Sequence, residues 1–69
     1  MNPDDIKRAI RTEPFQSVIL RLSNGSQFEV RHPENILIGP RTTAILVGEA
    51  IQIIANVHVN QIEPLAAAG

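Results

Sequence analysis

The sequence predicts a mainly β protein: an N-terminal helix followed by a five-stranded, strongly bent antiparallel barrel. Three observations predict it. Val18, Leu20 and Leu22 alternate with other residues before Ser23-Asn24-Gly25, and Phe28 and Val30 alternate after it; this period of two marks strands with one face toward a core. The hydrophobic share is 43%, yet aromatics make up only 3%, so the core is built from Ile, Val, Leu and Ala, a composition that suits strands. Prolines and glycines at Pro33, Gly39-Pro40, Gly48 and Pro64 then cut the chain into strand-sized pieces.

Asn2-Pro3-Asp4-Asp5 opens the helix. Asn2 serves as a cap, Pro3 suits the first helical position, and the aspartates favour the positive end of the helix dipole. Ile6, Ala9 and Ile10 share one face; Lys7, Arg8 and Arg11 take the other face and the C-terminal end. Glu13-Pro14 ends the helix, because a residue before proline avoids helical geometry. Phe15 is expected at the mouth of the core.

The hairpin around Asn24-Gly25 has two candidate registers. A two-residue loop sets Leu22 against Gln27 and Leu20 against Glu29, mixing core and polar faces. A three-residue loop, Ser23-Asn24-Gly25, sets Leu20 against Phe28 and Val18 against Val30. A one-residue slip moves every side chain to the other face, so the three-residue loop is expected, as a type I turn with a left-handed, bulged Gly25. Gly25 is thereby explained by backbone geometry rather than by ligand approach.

His32-Pro33-Glu34-Asn35 is a bend, bulge or edge segment, since proline cannot serve a central ladder. Ile36-Leu37-Ile38 resumes the extended run as the far half of one bent strand. Thr42 to Val47 and Ile51 to Ile54 form strands joined through Gly48-Glu49-Ala50. Ala55 to His58 is expected as one helical turn, and Val59 to Glu63 as the last strand. Residues 1–65 are thus expected as one domain, with 66–69 as a loosely held tail.

Sixty-nine residues bury a modest fraction of their surface and gain from disulfides, metals or oligomerisation. There are no cysteines, which excludes disulfides and thiolate zinc sites. A formal net charge of −1 gives no broad attraction to nucleic acid or anionic lipid. No apolar run reaches the length of a membrane span, and the acidic start is unlike a signal peptide; a cytoplasmic setting is expected.

No Ser–His–acid spacing, phosphate loop or dinucleotide fingerprint occurs, so neither catalysis nor a cofactor is expected. His32 and His58 are the only histidines. A metal site would have to combine them with carboxylates such as Glu34 or Glu63, and a hydrolytic one would be built around His32 and Glu34, whose common side is disrupted by Pro33; no metal is expected. Lys7, Arg8 and Arg11 are read as a solvated face paired with Asp4 and Asp5, or as a phosphate-holding surface if repeated in a ring. Arg21 and Arg31 are expected to pair with Glu29.

Ile6 to Arg11, Glu13-Pro14-Phe15, Leu20 to Gly25, Phe28 to Glu34 and Ile62-Glu63-Pro64-Leu65 together resemble a family of small, functionally uncharacterised bacterial proteins. Those proteins share a Pro-Phe entry, an Asp-Gly or Asn-Gly turn and a His-Pro-Glu segment. The order of elements is also similar to the Sm-like fold, including its Hfq type, and Leu20 to Gly25 resembles the start of the first Sm motif. That resemblance implies rings in which the fourth and fifth strands of neighbours pair. It also implies RNA pockets with a loop asparagine after the second strand, matched by Asn35. A base platform near the bend would have to be His32. The Arg-Gly or Lys-Gly-like pair before the fifth strand is Ala55-Asn56 here, a departure from the pattern.

Two strands are apolar on both faces, more than one helix can cover. The expected function is therefore a non-catalytic, self-associating binding or assembly module. Its subunit contacts are expected at Ala44, Leu46, Ile51, Ile53, Ile54 and Val59. The alternative is a ring-forming RNA binder of Sm type using His32, Asn35, Lys7, Arg8 and Arg11.

Overall fold

The chain begins with helix α1 (Pro3–Ile10). Six strands follow among the residues described by the structure, a computed structural model covering 1–65: β1 (Val18–Leu22), β2 (Gln27–Val30), β3 (Ile36–Ile38), β4 (Thr42–Val47), β5 (Ala50–Ala55) and β6 (Val59–Pro64). The tail expected at 66–69 lies outside the described residues. The strands form two antiparallel three-stranded sheets, ordered β2-β1-β6 and β3-β4-β5. They do not close into a barrel, and there is one strand more than the sequence predicts. The extra strand arises at the bend. Pro33–Asn35 forms a 3₁₀ turn rather than a bulge, with the Asn35 N–H donating to the His32 carbonyl at 3.0 Å. The expected bent strand is thus divided into β2 and β3.

Helix α1 starts as its sequence dictates: Asn2 Oδ1 accepts from the Asp5 N–H at 2.9 Å, and Pro3 follows the cap. It stops at Ile10, ahead of the expected Glu13-Pro14 boundary, because Arg11 leaves helical geometry (φ −87°, ψ 64°). Ile6 and Ile10 point into the core and Ala9 is half-buried beside them.

The hairpin takes the three-residue loop. Val18 faces Val30 and Leu20 faces Phe28. The Gly25 N–H donates to Leu22 O at 3.0 Å, and the Leu22 N–H donates to Ser26 O at 2.8 Å. Gly25 has φ +91°, the left-handed value that this bulged turn requires. On the other side of β1, a bulge between Arg21 and Leu22 brings Leu22 opposite Val59. That irregularity turns Val59 inward.

One buried cluster joins the layers: Ile6 and Ile10 of α1, Val18, Leu20 and Leu22 of β1, Val30 of β2, Ile45 of β4 and Val59 of β6. Phe15, Phe28, Ile36, Ile38, Ile54 and Ile62 pack around it. Within this aliphatic core sits one polar knot. Asn56, in the 3₁₀ turn Asn56–His58, is buried; its Nδ2 donates to Gly39 O at 2.9 Å and its Oδ1 accepts from Thr43 Oγ1 at 2.6 Å. The Asn56 N–H also donates to Arg41 O at 2.8 Å. These bonds tie the β5–β6 connection to both ends of the β3–β4 turn.

Candidate interaction surface

Sheet β3-β4-β5 is apolar on both sides. Thr43 and Ile45 of β4 point inward and are fully buried. Their neighbours Ala44 and Leu46 therefore belong to the opposite face. Register places Leu37, Ala44 and Ile53 in one row across the three strands, with Leu46 beside Ile51 in the next. None of these five residues is charged, and four are large and exposed: Leu37 at 75%, Ile51 at 66%, Ile53 at 70%, and Leu46. A contiguous exposed apolar patch of this kind marks an interaction surface more often than scattered surface leucines do.

This surface contains four of the six expected subunit contacts: Ala44, Leu46, Ile51 and Ile53. The other two lie elsewhere. Ile54 is on the inner face of β5, half-buried against the core. Val59 is a correction to the sequence reading: at 3% exposure its side chain is consumed by the subunit's own core, through the β1–β6 bulge. Leu37 was missed. It lies in the short run after the bend, and only its pairing with Ala44 shows which way it faces.

The expected RNA residues separate into two groups. His32 and Asn35 line one open cleft of ≈ 460 Å³, together with Phe28, Arg31, Val47 and Gly48. His32 is exposed and Asn35 half-buried. Arg31 is already engaged, its Nη2 donating to Glu29 Oε2 at 2.8 Å. The helix cations are not part of this cleft. Arg8 pairs with Asp5 at 3.2 Å across one helical turn, Lys7 is half-buried, and Arg11 lines a separate cleft with Phe15, Pro33 and Ile36.

Arg21 also departs from its expected partner. Its Nε donates to Glu63 Oε1 at 2.6 Å and its Nη1 to Gln27 Oε1 at 2.7 Å. Glu63 reaches it because Arg21 faces Gln61, leaving Glu63 on the diagonal. The expected Glu29 pairs with Arg31 alone.

A third cleft, of ≈ 520 Å³, lies between the hairpin turn and β5. Ser23 Oγ stands 3.5 Å from His58 Nδ1 there, and the Ser23 N–H donates to His58 O at 2.9 Å. No carboxylate lines this cleft. Among the described residues, no group of three His, Asp or Glu side chains is placed to hold a metal ion. Likewise, no helix among them is long and apolar enough to cross a membrane.

Fold and surface thus define a small two-sheet β protein with one uncovered aliphatic face. Comparison with family models, curated proteins and solved structures gives no match.

Proposed function

We propose that the chain is a non-catalytic, self-associating binding or assembly module with an Sm-like order of elements. The observation that carries this reading is the exposed aliphatic row of Leu37, Ala44 and Ile53 with Leu46 and Ile51 beside it. Fully burying one such large side chain is worth about 1.5–3 kcal/mol. Four on each of two copies offer at most about 12–24 kcal/mol, against the roughly 4–15 kcal/mol of lost freedom that association must overcome. The order helix, hairpin, bend, β3-β4-β5 and a 3₁₀ turn before the last strand supports the Sm-like reading, with β2 and β3 as the two halves of its bent strand.

Light scattering across a concentration series tests the proposal. The wild-type mass is expected above that of one chain, and Ile53→Glu is expected to return it to monomer while leaving the circular-dichroism spectrum unchanged. A wild-type chain that stays monomeric at every concentration defeats the reading.

A second reading, RNA binding by the assembled protein, is favoured by the meeting of His32 and Asn35 in one cleft. It predicts retention of oligo-A or oligo-U that strengthens as salt falls and weakens in His32→Ala. No retention at low salt removes it.

A further inference from the structure

The free edge of β5 has a feature that the apolar face alone does not supply. In an antiparallel ladder, alternate residues turn their N–H and C=O groups to the neighbouring strand. The Asn56 N–H bonds Arg41 O, and the β4–β5 register pairs Ile54 with Thr43, Gln52 with Ile45 and Ala50 with Val47. These even-numbered positions continue the alternation set by Asn56, so their backbone groups address β4. The backbone groups of Ile51, Ile53 and Ala55 therefore face outward, along an edge that no other described strand covers.

The other edges are guarded. β2 carries Glu29, β6 carries Glu63 and ends in Pro64, and β3 is three residues long between Pro33 and Pro40. Charge, proline and shortness are the usual protections against strand addition. β5, Ala50-Ile51-Gln52-Ile53-Ile54-Ala55, has none of them. Its sequence is also locally symmetric about Gln52, with an isoleucine on each side.

We propose that two copies of this chain pair through their β5 edges, antiparallel, about a two-fold axis at Gln52. This inference rests on the self-association reading and adds to it a contact along the strand edge, which joins the two aliphatic faces side by side rather than covering them. In an antiparallel pair, directly opposed residues share a face. A dyad at Gln52 meets that requirement: Ile51 of one copy faces Ile53 of the other, twice, and Gln52 faces its own counterpart. The outward backbone groups of Ile51 and Ile53 form the hydrogen-bonded pairs. Gln52 then sits in the closer, non-hydrogen-bonded pair, amide against amide on the opposite face. Ile51 and Ile53 of both copies become one continuous stripe, and no charge lies along the edge to oppose it. The interface is self-complementary, as a closed dimer requires.

The geometry makes a sharp test, because the chain has no cysteine. A non-hydrogen-bonded antiparallel pair places its Cα atoms about 4.5 Å apart, inside the range of about 4.4–6.8 Å that a disulfide spans. Gln52→Cys, Ile53→Cys and Ser26→Cys variants are oxidised with diamide, each inter-chain disulfide delivering two electrons and two protons to the reagent. The products are resolved on non-reducing gels, and light scattering gives the mass of each reduced variant. Gln52 is exposed, so its replacement leaves the core intact.

The expected result is a covalent dimer from Gln52→Cys at least tenfold faster than from Ile53→Cys or from the hairpin control Ser26→Cys. Equal rates in an assembled protein overturn the β5 pairing while leaving self-association standing. A faster reaction at Ile53→Cys overturns the dyad position. A reduced sample that is monomeric throughout overturns both this inference and the reading on which it rests.

Discussion

At the scale of single residues, Asn56 is the side chain on which the interior most depends. Its amide satisfies Thr43 Oγ1 and Gly39 O within a setting of aliphatic packing. A buried polar group deprived of its partner costs about 1–3 kcal/mol. Asn56→Leu is therefore expected to lower the unfolding free energy by about that amount, read as a lower denaturant midpoint. Thr43→Val removes the hydroxyl that Asn56 Oδ1 accepts from, and the double variant Thr43→Val/Asn56→Leu is expected to lose less than the sum of the singles, because the two side chains share one hydrogen bond. The Arg21–Glu63 pair is different in kind. Both partners retain substantial contact with solvent, and exposed pairs of this sort contribute about 0–1 kcal/mol.

At the scale of elements, the hairpin was legible because two signals agreed. Period-two patterning fixed the faces of β1 and β2, and Asn-Gly fixed where the chain reverses; only the three-residue loop satisfied both. Gly25→Ala tests that account. A Cβ there meets no atom within 4 Å, so the cost is purely conformational, about 1–2 kcal/mol for a side chain held at positive φ. Gly25→Asn is expected to recover part of it, because Asn tolerates the left-handed region better than Ala; denaturant midpoints of the two variants give the comparison. The bend was legible only as a discontinuity. Proline excludes a regular ladder at Pro33, but a bulge, a bend and a 3₁₀ turn all satisfy that exclusion, and the choice sets the strand count. Val59 and Asn56 were harder still. The inward turn of Val59 comes from a register shift against β1, a tertiary event with no local signature. Asn56 did offer a signal: a polar side chain between two aliphatic strands must find partners if buried. Thr43, inward by alternation, was one candidate partner.

At the scale of the whole molecule, the two sheets have unequal demands. Sheet β2-β1-β6 has the shared core on one side and charged or polar residues such as Arg21, Gln27, Glu29 and Glu63 on the other. Sheet β3-β4-β5 has aliphatic side chains on both. Apolar faces at expected contacts were legible in the sequence because Thr42–Val47 and Ile51–Ile54 contain too few polar residues to give either strand a wet side. What the sequence withheld was which of those residues the subunit itself consumes, a matter of how the sheets sit over α1.

The alternation of bonded and outward backbone groups along β5 has a consequence for solvent deuterium. In a lone copy, the amides of Gln52 and Ile54 are held by β4 while those of Ile51 and Ile53 lie open, so protection from exchange rises and falls with every residue. Occupation of the edge by a second strand closes the open set and flattens that sawtooth. Six neighbouring amides thereby record, site by site, whether the molecule is alone.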